Sequence, residues 1–247
     1  MSEICLEKIK NLITLNEKVE LLEEVSSTND YILDKDLFLV IAKSQTNGKG
    51  TNNRTFFSKK GGIYLSLKLT PNVLVSDLPL VTPYTAVAVM KTIKKVTNLN
   101  AKIKWVNDIY INDKKVSGIL TESSIFKDKI NSLVIGIGIN VEQQNFPNFI
   151  LNTPTSLESE CGFKIDKNKF IGELLSHFIN FESEFNKKTF IKEYSDNFYL
   201  SGKTVTVKNG DNVVTGVAIG VNENCNLVVD IDNEKKVFYS GEAVILK

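Results

Sequence analysis

The chain has 247 residues, 42% of them apolar, and its 30 basic and 29 acidic side chains leave a net charge of +1. A balance this even gives no global attraction to nucleic acid or to an anionic membrane surface. The length suits one large domain, or one with a small appendage, around a sizeable core.

Arg54 is the only arginine among the basic residues, and the chain is otherwise rich in lysine, asparagine and isoleucine. Cys5, Cys161 and Cys225 are odd in number, far apart and form no CxxC pair. That argues for reduced thiols in a cytoplasmic protein and against a disulfide frame or a dedicated metal site. Glu3, Glu7, Lys8 and Lys10 interrupt the N-terminus where a signal peptide needs an apolar run. No apolar run approaches the roughly 18 residues that span a bilayer.

In chain order, Ile4, Ile9, Leu12 and Ile13 predict a short amphipathic helix over residues 3–15. Val19–Val25 reads as a strand. Ser26-Ser27-Thr28-Asn29 then precedes a helical turn with Tyr31, Ile32 and Leu33. Capping accounts for such a cluster, and a helix start also offers unpaired N–H groups to a small polar ligand.

Leu37–Ala42 is an apolar run, expected to be a buried strand, and it delivers Gln45-Thr46-Asn47-Gly48-Lys49-Gly50-Thr51-Asn52-Asn53-Arg54. Two glycines, three asparagines and two cations make a loop able to wrap an anion. The GxxxxGK[ST] spacing fails, so it is no Walker A loop; a mobile connection is the plain alternative. Gly62–Thr70 alternates as a strand. Leu78–Val96 shows helical spacing through Leu80, Val81, Ala88, Val89, Ile93 and Val96, with Lys91, Lys94 and Lys95 on the wet face. Pro83 falls near its start, where proline is tolerated.

Lys104–Glu122 reads KWVNDIYINDKKVSGILTE. Apolar segments Ile109–Ile111 and Val116–Leu120 flank Asn112-Asp113-Lys114, a hairpin signature. Asp108 enters the first strand and Lys115 the second. Held on stiff strands, such a pair can face one cavity, where Lys115 would meet an anion and Asp108 would orient a cation or an amine. On spacing alone, a solvated surface hairpin is the commoner outcome.

Leu133–Val141, LVIGIGINV, reads as a buried strand whose Gly136 and Gly138 mark close approach of another group. Val141 stands where a GxGxxG pattern needs its third glycine, so a dinucleotide reading fails. Asp166–Phe185 is amphipathic, with Phe170, Leu174, Leu175, Phe178, Phe181 and Phe185 inward. His177 lies in it without an acid or cysteine partner in sequence reach, as expected of a structural histidine. Beyond Tyr199, short strands Thr204–Val207, Val213–Ile219, Leu227–Ile231, Val237–Tyr239 and Ala243–Leu246 predict a small SH3-like barrel. Two domains are therefore expected, residues 1–200 and 201–247.

The hairpin stretch resembles the KWPND...K-hydrophobic-x-GIL segment of the biotin protein ligases. Gln45–Ser66 resembles the same family's loop block, Q-x-x-GRGR-x-GR-x-W-x-S...GG-hydrophobic-Y-x-S. The cluster Ser27-Thr28-Asn29, the Gly136-x-Gly138-x-Asn140 run, Thr153–Gly162 and Gly241-Glu242-Ala243-Val244 match further family segments, so the likeness covers nearly the whole chain from Ser26 onward. It implies a mixed sheet flanked by helices, of the α/β (α+β) class and resembling the class II aminoacyl-tRNA synthetase core, followed by the small barrel.

It implies ATP-dependent ligation as well: biotin is activated to biotinyl-5′-AMP with Mg-ATP. The biotinyl group then passes to one lysine of the biotin carboxyl carrier domain of a carboxylase such as acetyl-CoA carboxylase. Carried over, the catalytic residues are Lys115, Asp108 and Lys49. Biotin would be held by Ser27, Thr28, Asn29, Gln45, Lys49, Gly50, Thr51, Lys115, Gly118, Leu120, Gly136 and Gly138. The nucleotide would meet Lys49, Arg54, Phe56, Lys104, Asn107, Lys115, Asn140 and Lys247. No metal site beyond the magnesium that accompanies ATP is implied.

Three departures stand out. Thr51 replaces an arginine that holds the biotin carboxylate and acyl phosphate, losing a charge and a bidentate fork. Phe56 replaces the ring-stacking tryptophan, and Val106 a proline. Only 25 residues precede Ser26, too few for the winged helix of bifunctional members, so a monofunctional, non-DNA-binding ligase is expected, with a homodimer left open. A lipoate or octanoate ligase or transferase is the nearest rival, but its RRxSGGG segment is absent. An inactive biotin-binding module is a second rival, disfavoured because Asp108 and Lys115 are both present.

Overall fold

The computed structural model describes residues 3–13, 17–147 and 153–246. Its centre is a seven-stranded sheet built from β1 (Val19–Leu22), β2 (Leu39–Ala42), β3 (Ile63–Leu69), β4 (Lys102–Lys104), β5 (Asp108–Ile111), β6 (Lys114–Phe126) and β7 (Lys129–Ile139). The strand order is β1-β2-β3-β7-β6-β5-β4, with β1 and β2 parallel and every other pair antiparallel. β2 is buried along its whole length and β3 for its first five residues, which is why both read as apolar runs.

Helices cover the sheet. They are α1 (Leu6–Ile13), α2 (Thr28–Leu33), α3 (Val81–Thr97), α4 (Leu157–Cys161), α5 (Lys167–Ile179), α6 (Phe181–Asn186) and α7 (Phe190–Asp196), with a 3₁₀ turn at Val75–Leu80 before α3. α3 is the buried one: residues 81–90 are all inside, and Lys91, Lys94 and Lys95 are exposed. None of the described helices is long and apolar enough to cross a membrane.

The single helix expected over Asp166–Phe185 is two. Asn180, at φ −114° and ψ 42°, separates α5 from α6. The break lets the rings of Phe178, Phe181, Phe185 and Phe190 surround Tyr84, with ring centroids 5.2 to 5.9 Å away. Packing around one tyrosine thus outweighs helical continuity. α7 was not anticipated. β1 stops at Leu22, short of the expected Val25, and residues 14 and 15 of the first predicted helix lie outside the described chain.

A second, five-stranded antiparallel sheet follows: β8 (Thr204–Asn209), β9 (Asn212–Val221), β10 (Leu227–Ile231), β11 (Glu234–Phe238) and β12 (Glu242–Ile245), in the order β11-β10-β9-β8-β12. It is moored to the first sheet near the hairpin. Trp105 Nε1 donates to the Cys225 carbonyl at 3.1 Å, and the segment leading into the second sheet is held where Ile103 bridges to Phe198. The Trp105–Val106 peptide is cis.

The hairpin tip is as expected. Asn112 and Asp113 have φ of 48° and 62°, the pair of positive values that a two-residue turn of this kind requires. A bulge lies just behind it. Ser117 pairs with Ile109 and Lys115 with Tyr110, so Val116 is the extra residue. Side chains alternate along a strand, so Lys115 and Gly118, three apart, would otherwise face opposite ways; the bulge resets the alternation. Lys115 therefore shares a face with Gly118, and a Cβ built on Gly118 would lie 3.3 Å from Lys115 Nζ. Backbone bonds from Lys115 N to Thr153 O and from Thr155 N to Lys115 O, both 2.9 Å, hold the site from the other side.

Candidate active site

One cavity of about 380 Å³ opens on this face. All the site residues proposed from sequence line it, apart from Lys247, which lies outside the described residues.

Its floor is glycine. Gly118 of β6 pairs with Gly138 of β7, and Leu120 with Gly136. A side chain at 136 would collide with the Asn29 amide, and one at 138 with the Phe56 ring. Bare backbone is what allows both groups to approach the sheet this closely. Phe56 thus rests over the floor, with Lys115 Nζ 5.8 Å from its ring centroid.

At one end the lining is neutral and polar. Ser27 caps α2, its side chain accepting from Asp30 N. Gln45 Oε1 accepts from Thr28 N at 2.8 Å and from Thr28 Oγ1 at 3.1 Å. Ser66 Oγ lies 2.8 Å from Thr28 Oγ1 and 2.6 Å from Asn29 Oδ1, and Asn29 Nδ2 donates to Glu122 Oε2 at 2.7 Å. Gln45 Nε2 donates to Ser58 Oγ, which donates to the Phe56 carbonyl, both at 2.9 Å. A single hydrogen-bonded chain therefore runs from Glu122 to the base of the glycine loop. Ser66 has one hydrogen for two acceptors, so this corner retains capacity to accept from a ligand N–H.

At the other end the lining is cationic. Lys115 Nζ lies 2.6 Å from Asp108 Oδ1. Lys104 is buried beside them with its amine 5.5 Å from the Tyr110 ring centroid. Lys104, which the resemblance placed toward the nucleotide, is enclosed by the sheet and lines the cavity. Burial depresses its pKa, against the opposing pull of Asp108 and Glu242. From the loop, Lys49 pairs with Asp30, which raises the pKa of its amine. Arg54 pairs with Glu242, which holds that carboxyl below its ordinary value.

Asn140 is fixed between these ends. Its backbone N–H donates to Val116 O at 2.8 Å and its Nδ2 to Thr155 O at 3.0 Å. Its Oδ1 is buried with no hydrogen-bond donor among the described residues, which suits an exocyclic amino group of a base. Asn107 is first a staple: its Nδ2 donates to Ile119 O at 2.9 Å and its carbonyl accepts from Ile119 N at 3.1 Å.

Ser58, Ser66, Glu122 and Glu242 make site contacts that the sequence reading left unassigned. Two were within reach of a period-two argument. Glu122 lies two residues beyond Leu120 on β6, and Ser66 pairs with Gly136 across β3 and β7. Glu242 falls in a segment that matched the family pattern, but its pairing has no local signal, because its partner is 188 residues away.

A mixed sheet with a glycine floor, a glycine–asparagine loop above it and a small antiparallel module against one side defines the biotin/lipoate ligase class of folds. Residues 21–140 match the Biotin/lipoate A/B protein ligase family, and residues 200–246 match the Biotin protein ligase C terminal domain. The chain belongs to the biotin protein ligase family.

Over 210 residues it is 34% identical to the bifunctional ligase/repressor BirA of Bacillus subtilis, covering 83% of this chain but only 65% of that one's length. It is 24% identical to the biotin–[acetyl-CoA-carboxylase] ligase of Paracoccus denitrificans over 200 residues, 77% of this chain and 82% of that one. The structure of the biotin protein ligase from Aquifex aeolicus in complex with biotin and ATP superposes with a TM-score of 0.79 at 27% identity, covering 93% of this chain and 99% of that one.

Proposed function

We propose that this protein is an ATP-dependent biotin protein ligase that acts on a biotin carboxyl carrier domain of a carboxylase such as acetyl-CoA carboxylase. The observation that carries this is the Lys115–Asp108 pair at 2.6 Å, set in the cationic end of a cavity whose other end is neutral and polar. A ureido ring needs the neutral end, and a carboxylate meeting a triphosphate needs the cationic one.

In the first step a biotin carboxylate oxygen attacks the α-phosphorus, the bond to the bridging oxygen breaks, and pyrophosphate leaves. Both reactants are anions. Lys115, Lys104 and the loop cations offset their repulsion and stabilise the charge that grows at phosphorus. A unit charge pair at about 4 Å is worth roughly 4 kcal/mol at an effective dielectric of about 20. Magnesium enters as part of the ATP substrate. In the second step the carrier lysine's amine attacks the acyl carbon, the bond to the phosphate oxygen breaks, and AMP leaves; Asp108 orients that amine and takes up its proton. The glycine loop excludes water from the anhydride in between.

The test is pyrophosphate release on adding biotin, lipoate or neither, followed by mass spectrometry of a carrier domain. Release with biotin and a gain of one biotinyl group support the reading. Release with lipoate instead favours the lipoate rival, and none with either favours an inactive module.

A further inference from the structure

Arg54 is the only arginine in the chain. It lies at the end of a loop whose Asn52 and Asn53 take φ of 55° and 56° and whose Gly48 and Gly50 are free of side chains. Such a segment loses much entropy when it orders. The structure gives its two cations fixed partners outside the loop. Lys49 pairs with Asp30 on α2, and Arg54 lays both terminal nitrogens on both oxygens of Glu242, with Nη1 2.7 Å from Oε1.

Glu242 belongs to β12, whose neighbour β8 holds it through a register running from Glu242–Lys208 to Ile245–Val205. The next residue back, Gly241, has φ of +126°, and a side chain there would strike the Lys208 carbonyl. This carboxylate is therefore a rigid post on the second sheet that reaches into the cavity of the first. Glu242 and Asp108 face three cations, Lys104, Lys115 and Arg54.

From this geometry we infer that Glu242 is a positioning residue for nucleotide binding. By clamping Arg54 end-on, it orders the loop in advance and leaves the remaining guanidinium N–H donors for an anionic ligand. This rests on the ligase reading only for the identity of that ligand as ATP. A guanidinium has five donors, and the end-on pair uses two, so a phosphate can share the group without displacing the carboxylate. The loop's ordering entropy is met within the folded chain rather than at the moment of binding, which is preorganisation in the ordinary sense.

The lone arginine makes the inference testable by a single cut. An arginine-specific protease can cleave this chain only after Arg54. In the wild-type protein that cut is expected to be slow. In E242Q it is expected to be about tenfold faster, from loss of a bidentate charge-assisted pair. ATP should protect against the cut, and the protecting midpoint should rise about tenfold in E242Q. E242D, which keeps the charge, should return both readouts most of the way.

A merely structural Glu242 would change thermal stability without moving the ATP midpoint. Equal cleavage rates, an unmoved or lowered midpoint, a wild-type protein that ATP fails to protect, or no rescue by E242D would each overturn the inference. None of these readouts needs turnover. A wild-type protein that lacks biotin-dependent pyrophosphate release sinks the ligase reading, and the cleavage pattern decides the role of Glu242 independently.

Discussion

Lys115 and Asp108 meet at 2.6 Å only because Val116 is an extra residue in β6; in an unbulged register Lys115 would face away from Asp108 and the glycine floor. Lys115→Ala is therefore expected to lower biotin-dependent adenylation by about 10³-fold, the scale of losing one preorganised donor to a developing charge. It also leaves a partly buried carboxylate unpaired, at about 3 kcal/mol. Lys115→Ala with Asp108→Asn should recover the stability without the activity. Urea titrations alongside pyrophosphate assays separate the two effects, and unchanged turnover in Lys115→Ala removes Lys115 from the mechanism.

The floor gives a second expectation. Gly138→Ala places a methyl group against the Phe56 ring and should cost about 1–3 kcal/mol by overpacking. Adding Phe56→Ala should return most of that cost. A double-mutant cycle in urea measures the coupling, and additivity would show that the ring does not rest there in solution.

Lys104 sets a pH dependence. Its native amine titrates below the ordinary lysine value of 10.5 because burial disfavours the charge. The unfolded chain then holds more protons than the native one between the depressed value and 10.5, so this group makes stability rise with pH across that window. Nucleotide binding moves the other way, since the cation is lost as pH climbs through the depressed value. The KM for ATP should rise on the alkaline side in the wild type, and Lys104→Arg should flatten the rise, because a guanidinium stays charged. Identical profiles in the two proteins would exclude Lys104 from phosphate binding.

Thr51 lines the cavity but carries no charge. The grip on a mixed anhydride should therefore be loose, and unrelated proteins incubated with enzyme, biotin and ATP should acquire biotin on exposed lysines. Thr51→Arg restores a bidentate fork and should reduce that stray labelling several-fold. Blotting of a bystander protein checks it, and absence of labelling in the wild type with no change in Thr51→Arg rejects it.

Local chemistry made much of the architecture legible. Asn112-Asp113 between two apolar segments specified the hairpin, the apolar runs specified β2 and β7, and the polar cluster at Ser27 specified the start of α2. Tertiary packing decided what was missed. The aromatic cluster around Tyr84 broke one predicted helix at Asn180. The bulge at Val116 has no composition of its own. Glu242 and Arg54 are joined only by the docking of one sheet on another, which no window of sequence contains.

Phe56 lies on the glycine floor at Gly138, so its ring shields that strip of backbone. On the ligase reading, a bicyclic guest that binds there exchanges one apolar face for another. Its heat-capacity signature should accordingly be smaller than the area it covers would suggest.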